Sequence, residues 1–207
     1  MEVYFNIFIG EFHVFEFMEV SIPKNFSKMC AIIISIGLLA TLPSSLILAD
    51  PSDDITRTYL LGTGILCGLP EPDPCPDIAM ADNGDTIEIT GSGTFSIHPK
   101  TVTGSGDFVH KNSAGTVLGS GTWAATKLLS FTSYGTSTFD GVTIEGGKLV
   151  MRVHFIAASG IELDGILQVD CLVGSPPAGA VEGVRLNVQG LINFNKEVSG
   201  LTVYIQP

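Results

Sequence analysis

The sequence predicts an all-β fold: an antiparallel meander that closes, fully or partly, into a small barrel, with a β-sandwich as the alternative. Two observations support this. From residue 85 onward, β-branched and aromatic residues alternate with polar ones at period two, and Gly and Ser punctuate them every 8 to 16 residues. No connection is long enough for the crossover helix that joins parallel strands.

The alternation places nine strands after Asn83-Gly84. They are predicted at residues 85–90, 93–98, 104–110, 116–125, 127–134, 148–157, 163–173, 181–189 and 200–206. Five prolines make residues 50–82 irregular, with one strand at 58–66 and one helical turn at 76–80. The longest polar loop of the β region is predicted at 135–147, where it would cover a barrel mouth.

A Gly-Ser-Gly-Thr/Asp-aromatic pattern occurs three times, at residues 91–95, 104–108 and 119–123. Glycine weakens a strand, so a repeated glycine pair needs a geometric reason, either strong bending or close packing beside a large ring. A sheet that bends repeatedly tends to close, which favours the barrel. In the sandwich alternative, the same Gly-Ser pairs mark hairpin turns.

Residues 1–49 are predicted to be an N-terminal extension and a secretory signal, and residues 50–207 a single β-barrel-like domain. Lys24 and Lys28 precede an apolar run at 31–42, and Ala49 provides a small residue for cleavage. The run of about 12 residues is shorter than the roughly 20 of a membrane-spanning helix, so a cleaved signal is favoured over an anchor. The aromatic, acidic segment upstream is expected to be an extension, with translation starting at Met18 or Met29.

The charge of the chain argues against nucleic-acid binding. The net charge is −11, and from Asp50 onward 8 basic and 17 acidic residues leave −9. The basic residues are scattered singly, so this surface repels a phosphate backbone. The expected protein is secreted or in the cell envelope, without membrane contact after cleavage, and binds a small apolar ligand or a protein. Its oligomeric state is left open.

Three cysteines follow the leader, and two of them lie close together in sequence. Cys67 and Cys75 flank a proline-rich loop and are predicted to form a disulfide, which suits an exported protein. Cys171 alternates with apolar residues and is predicted to be a buried free thiol. A bond from Cys171 to either of the other two is the alternative.

Known catalytic motifs are absent, so whether the chain is an enzyme stays open. His98, His110 and His154 each stand alone, without a second histidine at ligand spacing. The sequence therefore predicts no metal site and no cofactor.

Strand parity indicates one candidate polar site. Arg152 and His154 share the polar face of one strand, Asp170 lies on the polar face of the next, and Arg185 on the strand after that. If these strands are neighbours, the four side chains cluster. Arg152, His154 and Asp170 are the candidate catalytic residues, with His154 as a general base, and Arg185 would bind an anion. The alternative is a solvated face with salt bridges of about 0.5 kcal/mol each.

Aromatic residues supply the remaining candidate ligand contacts. Trp123 would line a lumen for an apolar ligand, and Tyr134 stands beside the predicted loop that covers it. The alternative is that Trp123 is plain core, because small barrels are often filled by their own side chains.

The G-x-G-x-aromatic strands of residues 85–135 resemble the calycin-like small barrels of the allene oxide cyclase and dirigent families. Residues 119–135 and 193–205 are also similar to secreted microbial proteins of unassigned function. The resemblance implies a barrel and, as one function, an isomerase or cyclase that works by shaping a hydrophobic cavity. No catalytic residue of those families has a counterpart here. The preferred expectation is an exported binding or surface-interaction module.

Overall fold

A computed structural model describes residues 55–207, which form ten antiparallel strands and one short 3-10 helix at Gly64–Gly68. The predicted leader and the residues before it lie outside this range. Within it, no helix is long and apolar enough to cross a membrane. The strands are β1 Arg57–Leu61, β2 Asp77–Ala81, β3 Thr86–Ser96, β4 Thr101–Lys111, β5 Val117–Phe139, β6 Val142–Ala157, β7 Glu162–Cys171, β8 Gly183–Val188, β9 Ile192–Ser199 and β10 Thr202–Ile205.

The strands β2 to β9 form a hydrogen-bonded ring of eight. Each pairs antiparallel with the next along the chain, and β9 returns to pair with β2. The all-β antiparallel meander is therefore confirmed. A ring of this kind is consistent with the predicted barrel and with the sandwich alternative.

The strands β1 and β10 make a second connection across the ring. They pair with each other, β1 also pairs with the second half of β3, and β10 also pairs with the start of β6. The strand β3 thus contacts β2 along its first half and β1 along its second. Two paths of paired strands therefore join β3 to β6, one through β2, β9, β8 and β7 and the other through β1 and β10.

Apolar side chains fill the interior. Alternation turns Leu149, Met151, Val153 and Phe155 of β6 inward, as the pattern of that strand predicts. Large aromatic rings occupy much of the space between the walls, and several pack edge to face. The fully buried aromatic residues are Tyr59, Phe95, Trp123, Phe194 and Tyr204.

The Gly-Ser-Gly repeats of β3 and β4 lie directly opposite each other, with Gly91 paired to Gly106 and Gly93 to Gly104. A Cβ on Gly91 would lie 2.5 Å from Cζ2 of Trp123, and one on Gly104 would lie 2.0 Å from the hydroxyl of Tyr59. Close packing beside large rings is therefore observed at these repeats. The third repeat is mixed, because a Cβ on Gly119 would meet nothing within 4 Å, whereas one on Gly121 would lie 2.1 Å from the carbonyl oxygen of Ile156.

Two local predictions are wrong. The helical turn at 76–80 is the strand β2, which is held between β3 and β9. The loop at 135–147 is a hairpin, in which β5 runs to Phe139 and β6 starts at Val142. Asp140 and Gly141 have φ values of 49° and 78°, as a two-residue hairpin turn of type I′ requires.

Strand boundaries also differ from those predicted. The two strands at 85–90 and 93–98 are the single strand β3, and those at 116–125 and 127–134 are the single strand β5. Three register shifts between β5 and β6 let this 23-residue strand bend around the ring. The strand β9 was not predicted.

The predicted disulfide between Cys67 and Cys75 is confirmed, with the two Cα atoms 5.3 Å apart. It ties the 3-10 helix to the segment that enters β2. Cys171 is free and buried, as its position on the apolar face of β7 predicts.

Candidate functional site

Arg152 and His154 line one pocket on the outer face of the ring, with a volume of about 470 Å³. The predicted pairing of these two side chains on one face of β6 is therefore observed. We call this the polar pocket because most of its lining side chains are polar. They come from β5, β6, β7, β8 and the residue after β8, and include Thr126, Arg152, His154, Asp164, Ile166, Asn187 and Gln189.

Two carboxylates hold His154 at the edge of the polar pocket. Its Nδ1 lies 2.9 Å from Oδ1 of Asp164, and its Nε2 lies 3.4 Å from Oε2 of Glu162. The hydrogen bond to Asp164 is the main cause of a raised pKa at His154. With a carboxylate at each ring nitrogen, the protonated imidazole is favoured, and a protonated imidazole is a poor general base.

Asp170 does not join His154. The register of β6 and β7 places Asp164 opposite His154, and Asp170 opposite Lys148. Asp170 is buried and accepts a hydrogen bond of 3.0 Å from the Tyr134 hydroxyl, while the Lys148 ammonium lies 3.8 Å away. The expected cluster of His154 with Asp170 is therefore not formed, and Asp164 is the aspartate that contacts His154.

The other predicted contacts are separate from the polar pocket. On β8, Nε of Arg185 lies 2.5 Å from Oε1 of Glu197, although these two atoms make no hydrogen bond, so the contact is an ion pair. Trp123 is buried inside the ring and donates a 2.9 Å hydrogen bond to the carbonyl oxygen of Thr90. Neither these residues nor Tyr134 line the polar pocket.

A second, larger pocket of about 620 Å³ was not predicted. It lies between the 3-10 helix, the hairpin of β5 and β6, and β10, and its lining is mostly aliphatic and aromatic. We call it the apolar pocket. Ile65 and Phe139 are 69% and 60% exposed there, although such side chains are normally buried. Six of its apolar residues are Ile65, Leu66, Phe139, Val142, Val203 and Ile205.

Glu182 is the partly buried charged group of the apolar pocket. One carboxylate oxygen accepts a 2.6 Å hydrogen bond from the Leu172 amide. The other accepts one of 2.7 Å from the Thr202 hydroxyl and one of 3.0 Å from the Thr202 amide. Burial is the main cause of its raised pKa, and these hydrogen bonds oppose the rise. Among residues 55–207, no Lys, Arg or His forms an ion pair with Glu182.

Asp77 is a second buried carboxyl group that interacts with Glu182. It is fully buried, and neither of its carboxylate oxygens has a hydrogen-bond partner within the described part of the chain. Its pKa is raised by burial and by the charge of Glu182. A Cβ on Gly200 would lie 2.3 Å from Oδ1 of Asp77, so no side chain fits against the carboxyl there.

Cys171, which also lines the apolar pocket, is not a reactive thiol. It is 1% exposed, and burial raises its pKa to about 12. A thiol with so high a pKa is almost entirely protonated at neutral pH and a weak nucleophile. Its contribution to the pocket is therefore apolar surface.

The other histidines of residues 55–207 lie away from the polar pocket, and Nε2 of His110 is 3.3 Å from Oδ2 of Asp85. His98 lies in the turn between β3 and β4, and His110 packs edge-on against Phe194 at a centroid distance of 5.3 Å. In residues 55–207, no group of three or more His, Cys, Asp or Glu side chains has an arrangement that could hold a metal ion. Comparison with protein-family models, with curated proteins and with solved structures finds no significant match to this chain.

Proposed function

We propose that the protein is a binding module that holds a small apolar or amphipathic molecule in the apolar pocket. The observation that carries this proposal is the pocket itself. A volume of about 620 Å³ is within the usual range for small-molecule sites, and the lining is mainly apolar with few polar groups.

The exposed side chains at the pocket support the same proposal. Ile65, Phe139 and Val142 come from two segments far apart in the chain, yet they border one cavity. Leaving these side chains exposed sacrifices burial worth about 25 cal/mol per Å² of apolar surface. A ligand that covers them recovers that free energy.

An isomerase or cyclase with a catalytic group inside the ring is the weaker alternative. Its candidate groups Arg152 and His154 face outward. The charged pair that faces inward, Arg57 and Glu145, is buried, and the guanidinium bonds to the carboxylate and stacks on the rings of Phe95 and Phe131. These groups interact with each other, and neither lines the polar or the apolar pocket.

We also propose that the protein is exported. The disulfide between Cys67 and Cys75 supports this, because such bonds persist in oxidising compartments. The predicted leader is a second, independent argument. Mass spectrometry of the protein recovered from its host should find an N terminus near Asp50 outside the cytosol. A chain found in the cytosol with its leader intact would contradict export.

Binding to the apolar pocket can be tested with the neutral dye Nile red and the protein purified in the form that its host produces. We expect saturable fluorescence enhancement, and we expect Phe139→Ser to weaken dye binding at least about tenfold because it removes a large apolar wall. Leu118→Ser is the matched control, since Leu118 is 56% exposed and lies outside the pocket. The proposal fails if the dye does not bind, or if both variants reduce binding equally.

A further inference from the structure

We infer that the apolar pocket selects a cationic amphiphile, a molecule with an apolar chain and a compact positive head group such as a protonated amine. This inference rests on the proposed function and names the chemistry of the ligand. It is carried by the charge of the pocket lining and by the position of Glu182 within it.

All charged residues that line the apolar pocket are acidic. They are Glu71, Asp140 and Glu182, and no Lys, Arg or His of residues 55–207 lines it. An anionic amphiphile such as a fatty acid would bring its carboxylate toward three carboxylates without a compensating cation. Like charges held together cost free energy, so the lining discriminates against that class.

The position of Glu182 gives the head group a specific partner. The side chain is partly buried, accepts hydrogen bonds from the Leu172 and Thr202 amides and from the Thr202 hydroxyl, and has no ion-pair partner among residues 55–207. A buried carboxylate without a counter-charge is costly, and a cation that reaches it lowers that cost. An ammonium head group also donates the charge-assisted hydrogen bonds that such a carboxylate accepts.

The surroundings strengthen the preference for a cation. The charge of Asp170 raises the pKa of Glu182, and the charge of Glu182 raises the pKa of Asp77. Nearby cations are already engaged, because Lys148 lies beside Asp170 and Arg185 beside Glu197. The negative potential around Glu182 is therefore not cancelled by the protein itself.

The inference can be tested with three probes of equal chain length, decylamine, decanol and decanoate, in competition with Nile red on the processed full-length protein. At neutral pH we expect decylamine to bind at least about tenfold more tightly than decanoate, with decanol between them. Glu182→Gln should bring decylamine to the affinity of decanol. The matched control is Asp107→Asn, which removes an exposed carboxylate on β4 outside the apolar pocket.

Each outcome decides between distinct possibilities. If the three probes bind equally, the pocket binds apolar chains but the inference about the head group is wrong. If none binds, the proposed function fails as well. If Asp107→Asn lowers decylamine affinity as much as Glu182→Gln does, general attraction to an acidic protein explains the preference and the inference is overturned.

A second variant provides a test that does not depend on the folding of Glu182→Gln. The double variant Glu71→Gln with Asp140→Asn neutralises the two exposed carboxylates of the pocket, and asparagine tolerates the positive φ of position 140. We expect a smaller loss of decylamine preference, about two- to threefold, because these groups are solvated. An unchanged preference in this variant together with an unchanged preference in Glu182→Gln would contradict the inference.

Discussion

The two pockets of this protein are built in opposite ways. The polar pocket lies mainly on the neighbouring strands β6, β7 and β8, and Arg152 and His154 are two residues apart on a single strand. The apolar pocket is assembled from the 3-10 helix, a hairpin and the C-terminal strand, which are far apart in the chain. Strand alternation therefore indicated the first pocket and gave no sign of the second.

The charged groups of the two pockets also differ. In the polar pocket, His154 contacts Asp164 and Glu162, so opposite charges are balanced in solvent. In the apolar pocket, Glu182 has hydrogen bonds but no cation within the described residues. A balanced, exposed cluster requires no ligand, whereas an unbalanced carboxylate in an apolar cavity is poised to bind one.

The largest expected effect is a difference in Nile red affinity between two matched substitutions, one in each pocket. Val142 and Ile166 are 44% and 42% exposed on neighbouring strands, and they line the apolar and the polar pocket respectively. We expect Val142→Asp to weaken Nile red binding by about tenfold to a hundredfold, because it places a charge in the apolar wall. Ile166→Asp should leave it within about twofold. The reverse order, measured by fluorescence titration, would assign the dye to the polar pocket.

A second prediction concerns the pH dependence of ligand binding. Protonation of Glu182 removes its charge, and its pKa is raised above the ordinary value of 4.5. Decylamine affinity should therefore fall as the pH is lowered through this raised pKa, by up to about tenfold, while decanol affinity stays constant. Asp170 acts electrostatically on Glu182, and Glu182 in turn acts on three further titratable groups, Asp77, Cys171 and Tyr204. Parallel pH profiles for the two probes would show that Glu182 does not bind the head group.

The third prediction concerns stability near the apolar pocket. The raised pKa of Asp77 means that the folded state holds its proton more tightly than the unfolded state. The stability gained from this is complete below the ordinary pKa of 3.8 and is lost as the pH rises through the raised pKa. Asp77→Asn should reduce the slope of unfolding free energy against pH above 4, by at most about 1.4 kcal/mol per pH unit.

Urea unfolding at a series of pH values measures this slope. The polar pocket offers the control, because Asp164→Asn also removes one carboxylate, at a side chain that is 72% exposed, and an equal change of slope there would indicate a general charge effect. An unchanged slope in Asp77→Asn would show that Asp77 titrates normally.

The smallest effect is expected at His154 itself. Asp164 is the main cause of the raised His154 pKa, and Glu162 contributes less. Asp164→Asn should lower the His154 pKa toward 6.5, and Glu162→Gln should lower it by a smaller amount. The small stability that the pair provides is present below pH 6.5 and is lost as the pH rises through the raised pKa. NMR titration of the imidazole protons measures both shifts, and an equal response to the two variants would contradict the assignment.

The sequence was sufficient for the elements whose side chains alternate clearly. In β6, the alternation from Leu149 to Phe155 placed the apolar side chains inward and Arg152 and His154 outward, as observed. The paired glycines of β3 and β4 were recognised as sites of close packing. Both features depend only on local pattern, which sequence analysis captures well.

Other features depended on contacts between distant residues. Strand parity placed Asp170 on the polar face of β7, but parity does not determine which residues of β6 and β7 pair. In the observed register His154 is opposite Asp164, which is six residues before Asp170. The strand β2 follows a proline-rich stretch and is stabilised by its neighbours β3 and β9. The hairpin at Asp140-Gly141 did carry a recognisable signal, since Asp-Gly between apolar residues favours a two-residue turn.

The apolar pocket could not have been predicted without the fold. Its walls join Ile65, Phe139 and Val203, and only the pairing of β10 with β1 and β6 brings these segments together. What the sequence does carry is apolar residues beside prolines and turn signals, where solvent exposure is expected. Such residues are candidates for a binding surface once the topology is known.

The most direct test of this account is an NMR titration of the isotopically labelled protein with decylamine. We expect backbone amide shifts to concentrate at Phe139, Val142, Glu182 and Thr202, with the amide of Thr202 among the most affected because it bonds to Glu182. The amides around Arg152 and Asn187 should stay unchanged. Shifts confined to the polar pocket, or spread evenly over the acidic surface, would contradict the claim that the apolar pocket is the ligand site.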